Sequence, residues 1–185
     1  MARTKKQAAL FSVPTPDRDV PKLHTAKSRL RADHLNKFEP MTYTQERLFN
    51  NFYSQQHIVA DGCPGTGKTF VAMYKSFQEI LINRRYEKMV IVRSIVPTRD
   101  IGFLPGSLEE KIAVYEQPYK DICKDLFSYS VQDPYAKCVE QGILEFMPTS
   151  FIRGTTINDA IIIVDEAQNL TPHEIKTIIT RAGKI

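Results

Sequence analysis

Apolar and polar positions follow two rhythms along this chain, and each change of rhythm marks an element boundary. Phe70, Met73, Tyr74, Phe77, Ile80 and Leu81 recur at helical steps, which predicts one helix from Lys68 to Asn83 with a single apolar face. Met89–Val92, Ile143–Met147 and Ala160–Val164 are short, nearly continuous apolar runs instead. Unbroken runs of that length suit strands covered on both faces, as in a parallel sheet. A further β-like run, His57-Ile58-Val59-Ala60-Asp61, stands before the first long helix. Thr42 to Ser54 reads as a helix opened by a capping box, with Thr42 as cap and Gln45 three residues on. Ser107 and Glu110 repeat that signal after the loop at 101–106, and Pro118 should interrupt the helix they open. Thr171-Pro172-His173-Glu174 combines cap, first-turn proline and acidic third residue; that helix should end near Arg181, with Gly183 as terminator. Alternating β and α segments of this kind predict an α/β fold built on a parallel sheet.

The run Gly62-Cys63-Pro64-Gly65-Thr66-Gly67-Lys68-Thr69 changes that picture from architecture to chemistry. It is a complete G-x-x-x-x-G-K-[ST] phosphate loop between the strand-like run and the Lys68 helix, the context the motif requires. Gly62, Gly65 and Gly67 let backbone N–H groups turn inward around an anion. The helix N-terminus adds a positive dipole end. Lys68 can reach the β- and γ-phosphates of ATP, and the Thr69 hydroxyl can ligate Mg²⁺. Cys63 fills a variable loop position. The second half of such a site is Ile161–Val164 followed by Asp165-Glu166-Ala167-Gln168. Asp165, at a strand end, can hold Mg²⁺ through water beside Thr69, and Glu166 can orient or deprotonate the attacking water. Gln168 can sense the γ-phosphate or couple to nucleic acid, or be an exposed loop residue.

Composition sets bounds on this reading. A chain of 185 residues with 42% hydrophobic and 25% charged content suits one globular domain with a real core. No apolar run is long enough to span a bilayer, and no signal-peptide core follows the basic N-terminus. Cys63, Cys123 and Cys138 lack metal-type spacing, which points to a reducing cytoplasmic setting and against zinc. The net charge of +4 is uneven: residues 1–38 carry nine basic and three acidic side chains, leaving residues 39–185 at −2. Residues 1–38, with Pro14, Pro16 and Pro21, read as a basic, mobile arm before a domain at 39–185. Such an arm either gathers polyanions or is a solvated tail.

Several segments taken together carry a family resemblance. The phosphate loop, Gly102-Phe103-Leu104-Pro105-Gly106 with Glu110-Lys111, Arg153–Ala160, Asp165–Asn169 and Thr180-Arg181 occur in an order and spacing that resemble the PhoH family over about residues 40–185. The short, single-domain form is similar to versions carried by bacteria and tailed phages. The resemblance implies a P-loop NTPase with a RecA-like parallel sheet, related to superfamily-one helicase domains. It implies ATP and Mg²⁺ binding, ATP hydrolysis, and action on RNA or DNA, single-stranded nucleic acid first. It further implies a ring-shaped homo-oligomer such as a hexamer, located in the cytoplasm, or in the host's for a phage-encoded chain. Gln45 resembles the family's adenine-contacting glutamine, in competition with its capping-box role. Arg93 and Arg153 are candidates for phosphate or nucleic-acid contact, or for surface ion pairs. Arg181 falls in the family's Thr-Arg pair and can act across a subunit boundary.

A P-loop domain is expected to continue past the Thr171 helix into another strand, so the chain reads as a fragment of one. Two other functions compete with the hydrolytic motor: a P-loop kinase, and a non-catalytic protein that uses ATP to assemble. Adjacent Asp165 and Glu166 favour hydrolysis, since a kinase gains little from a water-activating carboxylate.

Overall fold

Strand β1 (Lys88–Arg93) is the centre of the molecule because its apolar run is covered on both faces; Met89 through Val92 are fully buried. The computed structural model describes residues 29–52, 54, 57–95 and 108–183. In them β1 pairs in parallel with β2 (Leu144–Pro148) on one side and β3 (Ala160–Asp165) on the other, giving the order β2-β1-β3. Met89 lies opposite both Leu144 and Ile161, and Arg93 opposite both Pro148 and Asp165. This register brings the polar ends of β1 and β3 side by side.

The described residues hold five α-helices: α1 (Tyr43–Phe52), which packs on α2 (Lys68–Phe77), then α3 (Leu108–Leu126), α4 (Pro134–Glu140) and α5 (Pro172–Ile179). The pleat of β1 sorts the core into two layers. Met89 and Ile91 pack with Met73, Tyr74 and Phe77 of α2, Tyr119 and Cys123 of α3, and Cys138 of α4. Val90 and Val92 pack with Met147, Ile152, Ile157, Leu170 and Ile178 on the opposite face. Phe77 meets Phe127 edge-on at 5.0 Å, tying the loop-bearing helix α2 to the end of α3. The predicted α/β parallel architecture is therefore the observed one. No helix among the described residues is long and apolar enough to cross a membrane.

The structure departs from the predicted elements at several points, each with a physical cause. His57–Asp61 forms no strand: it makes no ladder, and Val59 is 93% exposed. Among the described residues β3 is the outer strand on that side, half-buried along its length, and this run does not lie against its open edge. The helix predicted to reach Asn83 is α-helical to Phe77 and then widens into a π-helical turn, Gln78–Ile82. Arg85 and Asn83 hydrogen-bond the buried Glu79 carboxylate at that turn. Pro118 does not interrupt α3. Pro118 and Val114, the residue whose carbonyl loses its partner, both face solvent, where water satisfies the freed group. The last ten residues of the predicted arm, 29–38, pack on the domain: Leu30 and Leu35 are buried, and Leu35 bridges Phe127. Residues 1–28, the loop at 101–106 and the Ser107 cap lie outside the described residues.

Helix α4 is absent from the predicted elements, although Asp133-Pro134 carries a start signal; Asp133 accepts a hydrogen bond from the Ala136 N–H. Helix α5 opens as predicted, with Thr171 and Glu174 exchanging both capping-box bonds. It ends at Ile179, and Gly183 serves a close approach rather than a left-handed turn. A Cβ there would stand 2.0 Å from the Asn158 Oδ1.

Candidate nucleotide site

The phosphate loop turns into α2 through Gly67, whose φ of 78° lies in the left-handed region that favours glycine. A Cβ at Gly67 would also come 3.3 Å from the Gln45 Nε2. The loop is stabilised by its own side chains: Thr66 Oγ1 donates to the Cys63 carbonyl at 2.9 Å. Lys68 Nζ donates to the carbonyls of Gly62 and Cys63, each at 2.8 Å, which stations the ammonium beside the loop backbone. Cys63 is exposed, and Gly62–Thr66 all face solvent.

Gln45 joins α1 to this loop. Its Nε2 donates to the Thr66 carbonyl at 3.1 Å, and its Oε1 accepts from the Met41 N–H at 2.8 Å. Thr42 Oγ1 accepts from the Gln45 N–H at 3.3 Å. The forward half of the predicted cap is thus made, whereas the return bond goes to Met41. The helix-start side chain thus also contacts the phosphate loop.

Parallel pairing of β1 with β3 carries Asp165 to the first turn of α2. Thr69 Oγ1 donates to Asp165 Oδ1 at 2.9 Å, across 96 residues of sequence. Tyr119, fully buried on α3, donates its hydroxyl to Asp165 Oδ2 at 2.7 Å. Arg93, at the end of β1, lies 5.7 Å over the Tyr115 ring. Burial would lower the Arg93 pKa, but interaction with Tyr119 and the negative field of Asp165 and Glu166 raise it, so this guanidinium stays charged. Burial, then Asp165, push the Tyr119 hydroxyl well above its ordinary range, and it stays protonated as a donor. Arg93 therefore belongs to the carboxylate cluster. Tyr119 is the residue that the sequence reading omits; its partner is 46 residues away, a pairing that only the fold reveals.

Glu166 directly follows β3 in a left-handed conformation, φ 51° and ψ 42°, uncommon for a side chain with a Cβ. Its carboxylate accepts from Gln168 Nε2, so the two candidate catalytic side chains hold each other on the exposed rim. Conformations of this sort cost free energy and persist where neighbouring structure enforces them.

Arg153 and Arg181 lie apart from this cluster. Arg153 is exposed in the turn after β2, in the field of Glu174. It helps line a groove of about 450 Å³ at the carboxyl ends of β1 and β2, with Ser94, Thr149, Ser150, Thr177 and the Glu174 carboxylate. Arg181 is half-buried, and its Nε makes no hydrogen bond among the described residues.

The donor set suits a hard cation that is shared with phosphate. The described residues contain no group of three or more His, Cys, Asp or Glu side chains able to cage a metal. One hydroxyl and one carboxylate in mutual contact are what Mg²⁺ ordinarily takes from a protein when substrate phosphates and water complete its shell.

A parallel α/β sheet, a glycine-rich loop opening a helix, and a strand-end carboxylate bonded to that helix's first turn define a P-loop NTPase-type domain. Residues 37–185 match the family model described as PhoH-like protein, and the chain belongs to that family. It is 35% identical over 147 residues to the PhoH-like protein of Mycobacterium tuberculosis, covering 78% of this chain and 40% of that protein. It is 39% identical over 123 residues to the PhoH-like protein of Bacillus subtilis, covering 66% and 37%. It is 36% identical over 132 residues to protein PhoH of Escherichia coli, covering 71% and 37%. The chain spans about two fifths of the length of these relatives.

Proposed function

We propose that this chain binds ATP with Mg²⁺ on the Gly62–Thr69 loop, hydrolyses the terminal phosphoanhydride, and couples turnover to single-stranded RNA or DNA. The observation that carries the proposal is the 2.9 Å bond from Thr69 to Asp165, which joins the loop helix to the strand-end carboxylates in one site. Loop N–H groups and the α2 N-terminus would take the phosphate charge, and Lys68 Nζ already lies against the loop carbonyls. Mg²⁺, held by the Thr69 hydroxyl and by Asp165 through water, would neutralise charge on the phosphate oxygens. Glu166, one residue beyond the strand end and steadied by Gln168, is placed to orient water and accept its proton.

The nucleic-acid half of the proposal rests on the groove at the ends of β1 and β2. Ser94, Ser150 and Arg153 are of the kinds that donate to a phosphate backbone, beside a Glu174 carboxylate already bonded by Thr149 and Thr171, and ligands of open α/β sheets gather at the strands' carboxyl ends. The proposal includes a homo-oligomeric ring, hexameric in its simplest form, with Arg181 offered across the subunit boundary. Steady-state phosphate release with and without single-stranded RNA or DNA, for the wild-type protein and Lys68→Ala, tests it. Release that depends on Lys68 and rises with nucleic acid is expected. Release that is insensitive to Lys68 would overturn the assignment, and transfer to an acceptor other than water would favour a kinase.

A further inference from the structure

We infer that Tyr119 is a positioning residue for the metal-facing carboxylate: it ties off one Asp165 oxygen so that the other, shared with Thr69, is the one presented to Mg²⁺. The inference rests on the proposed reading of Asp165 as a metal-holding residue. A carboxylate offers two oxygens and can rotate about its Cβ–Cγ bond, so the strand alone does not decide which one faces the loop. Here the two are distinguished by their donors. Thr69 takes Oδ1 at 2.9 Å from the loop helix, and Tyr119 takes Oδ2 at 2.7 Å from α3. With each oxygen held from a different element, rotation would break both bonds. A carboxylate held this way does not swing to chelate a cation with both oxygens; it acts from the Thr69 side, through water.

The Tyr119 hydroxyl is itself fixed. The residue is fully buried on α3, and its ring lies 5.6 Å from Phe146 of β2. Packing between these two elements fixes where this oxygen sits, and the bond to Asp165 is not an incidental surface contact.

The test uses Mn²⁺ as the probe, its binding to the protein–ADP complex being read by electron paramagnetic resonance, which requires no turnover. Tyr119→Phe keeps the ring and removes the hydroxyl. It is expected to weaken Mn²⁺ binding about 10-fold or more, the usual effect of losing a residue that orients a metal-holding group, while metal-free ADP affinity stays within about 2-fold. Ile178→Ala, a core truncation on the opposite face of the sheet that leaves Tyr119 and its packing intact, is expected to lower thermal stability without that loss of metal affinity. Unchanged Mn²⁺ affinity in a folded Tyr119→Phe overturns the inference, provided Asp165→Asn does weaken it. If Asp165→Asn has no effect either, the metal-site reading itself fails. Should Tyr119→Phe not fold, the wild-type protein carrying 3-fluorotyrosine decides. Its Tyr119 fluorine resonance is expected to move when Mg²⁺ is added to the ADP complex, and a resonance that does not move overturns the inference.

Discussion

Severing Thr69 from Asp165 probes the joint between the phosphate loop and the sheet without any ligand present. Thr69→Val replaces the hydroxyl by a methyl of similar volume, and Asp165→Ala removes the acceptor. The bond is 2.9 Å long and partly buried, with a charged acceptor, a class contributing roughly 1.5–3 kcal/mol. Both residues keep some contact with solvent, which places the expected coupling at the lower end, about 1–1.5 kcal/mol. Thr69→Val leaves Asp165 its bond from Tyr119, so the carboxylate is not orphaned and the single variant should still fold. Urea unfolding of wild type, both single variants and the double variant gives the coupling directly. Sub-additivity of about 1 kcal/mol or more is expected. Additivity within about 0.5 kcal/mol would refute the reasoning, since the two residues would then be neighbours without a joint.

Two further outcomes follow from other parts of the fold. The Thr171 backbone N–H and hydroxyl hold the Glu174 carboxyl below its ordinary range against a small opposing effect of burial, with Thr149 and Arg153 adding to the lowering. A depressed folded-state pKa contributes stability above the unfolded value and loses it as pH falls through the folded one. Glu174→Ala should therefore lower Tm by about 3–6 °C at pH 7, and the difference from wild type should shrink below about pH 4; a gap independent of pH would exclude the charge as its source. Gln45→Ala removes the bridge from α1 to the Thr66 carbonyl and should weaken binding of a fluorescent ATP analogue about 3- to 10-fold. Undiminished affinity would make the bridge purely a helix-start device.

What was legible in the sequence was whatever local chemistry decides. The α5 capping box is written in adjacent residues, and the apolar β1 and β3 runs needed no partner to be recognised. The phosphate loop is likewise local, its left-handed Gly65 and Gly67 following from their own missing side chains. Elements that depend on a neighbour were not legible. His57–Asp61 has strand-like residues but no adjacent strand among those described, and Pro118 is tolerated because that face of α3 points to water. Leu30 and Leu35 are too sparse among charged residues to announce a packed segment, yet both are buried. The candidate site divides the same way. Lys68, Thr69, Asp165 and Glu166 could be named from motifs, whereas Tyr119 enters through an Asp165 contact that exists only once α3 lies on the sheet.

The central claim, that Glu166 activates water against a nucleotide held by the phosphate loop, is tested most directly by Glu166→Gln in single-turnover cleavage of γ-labelled ATP. The account predicts ATP affinity within a few-fold of wild type and cleavage slowed about 10²- to 10⁴-fold, the range for losing a general base. Cleavage at the wild-type rate with affinity intact would contradict it.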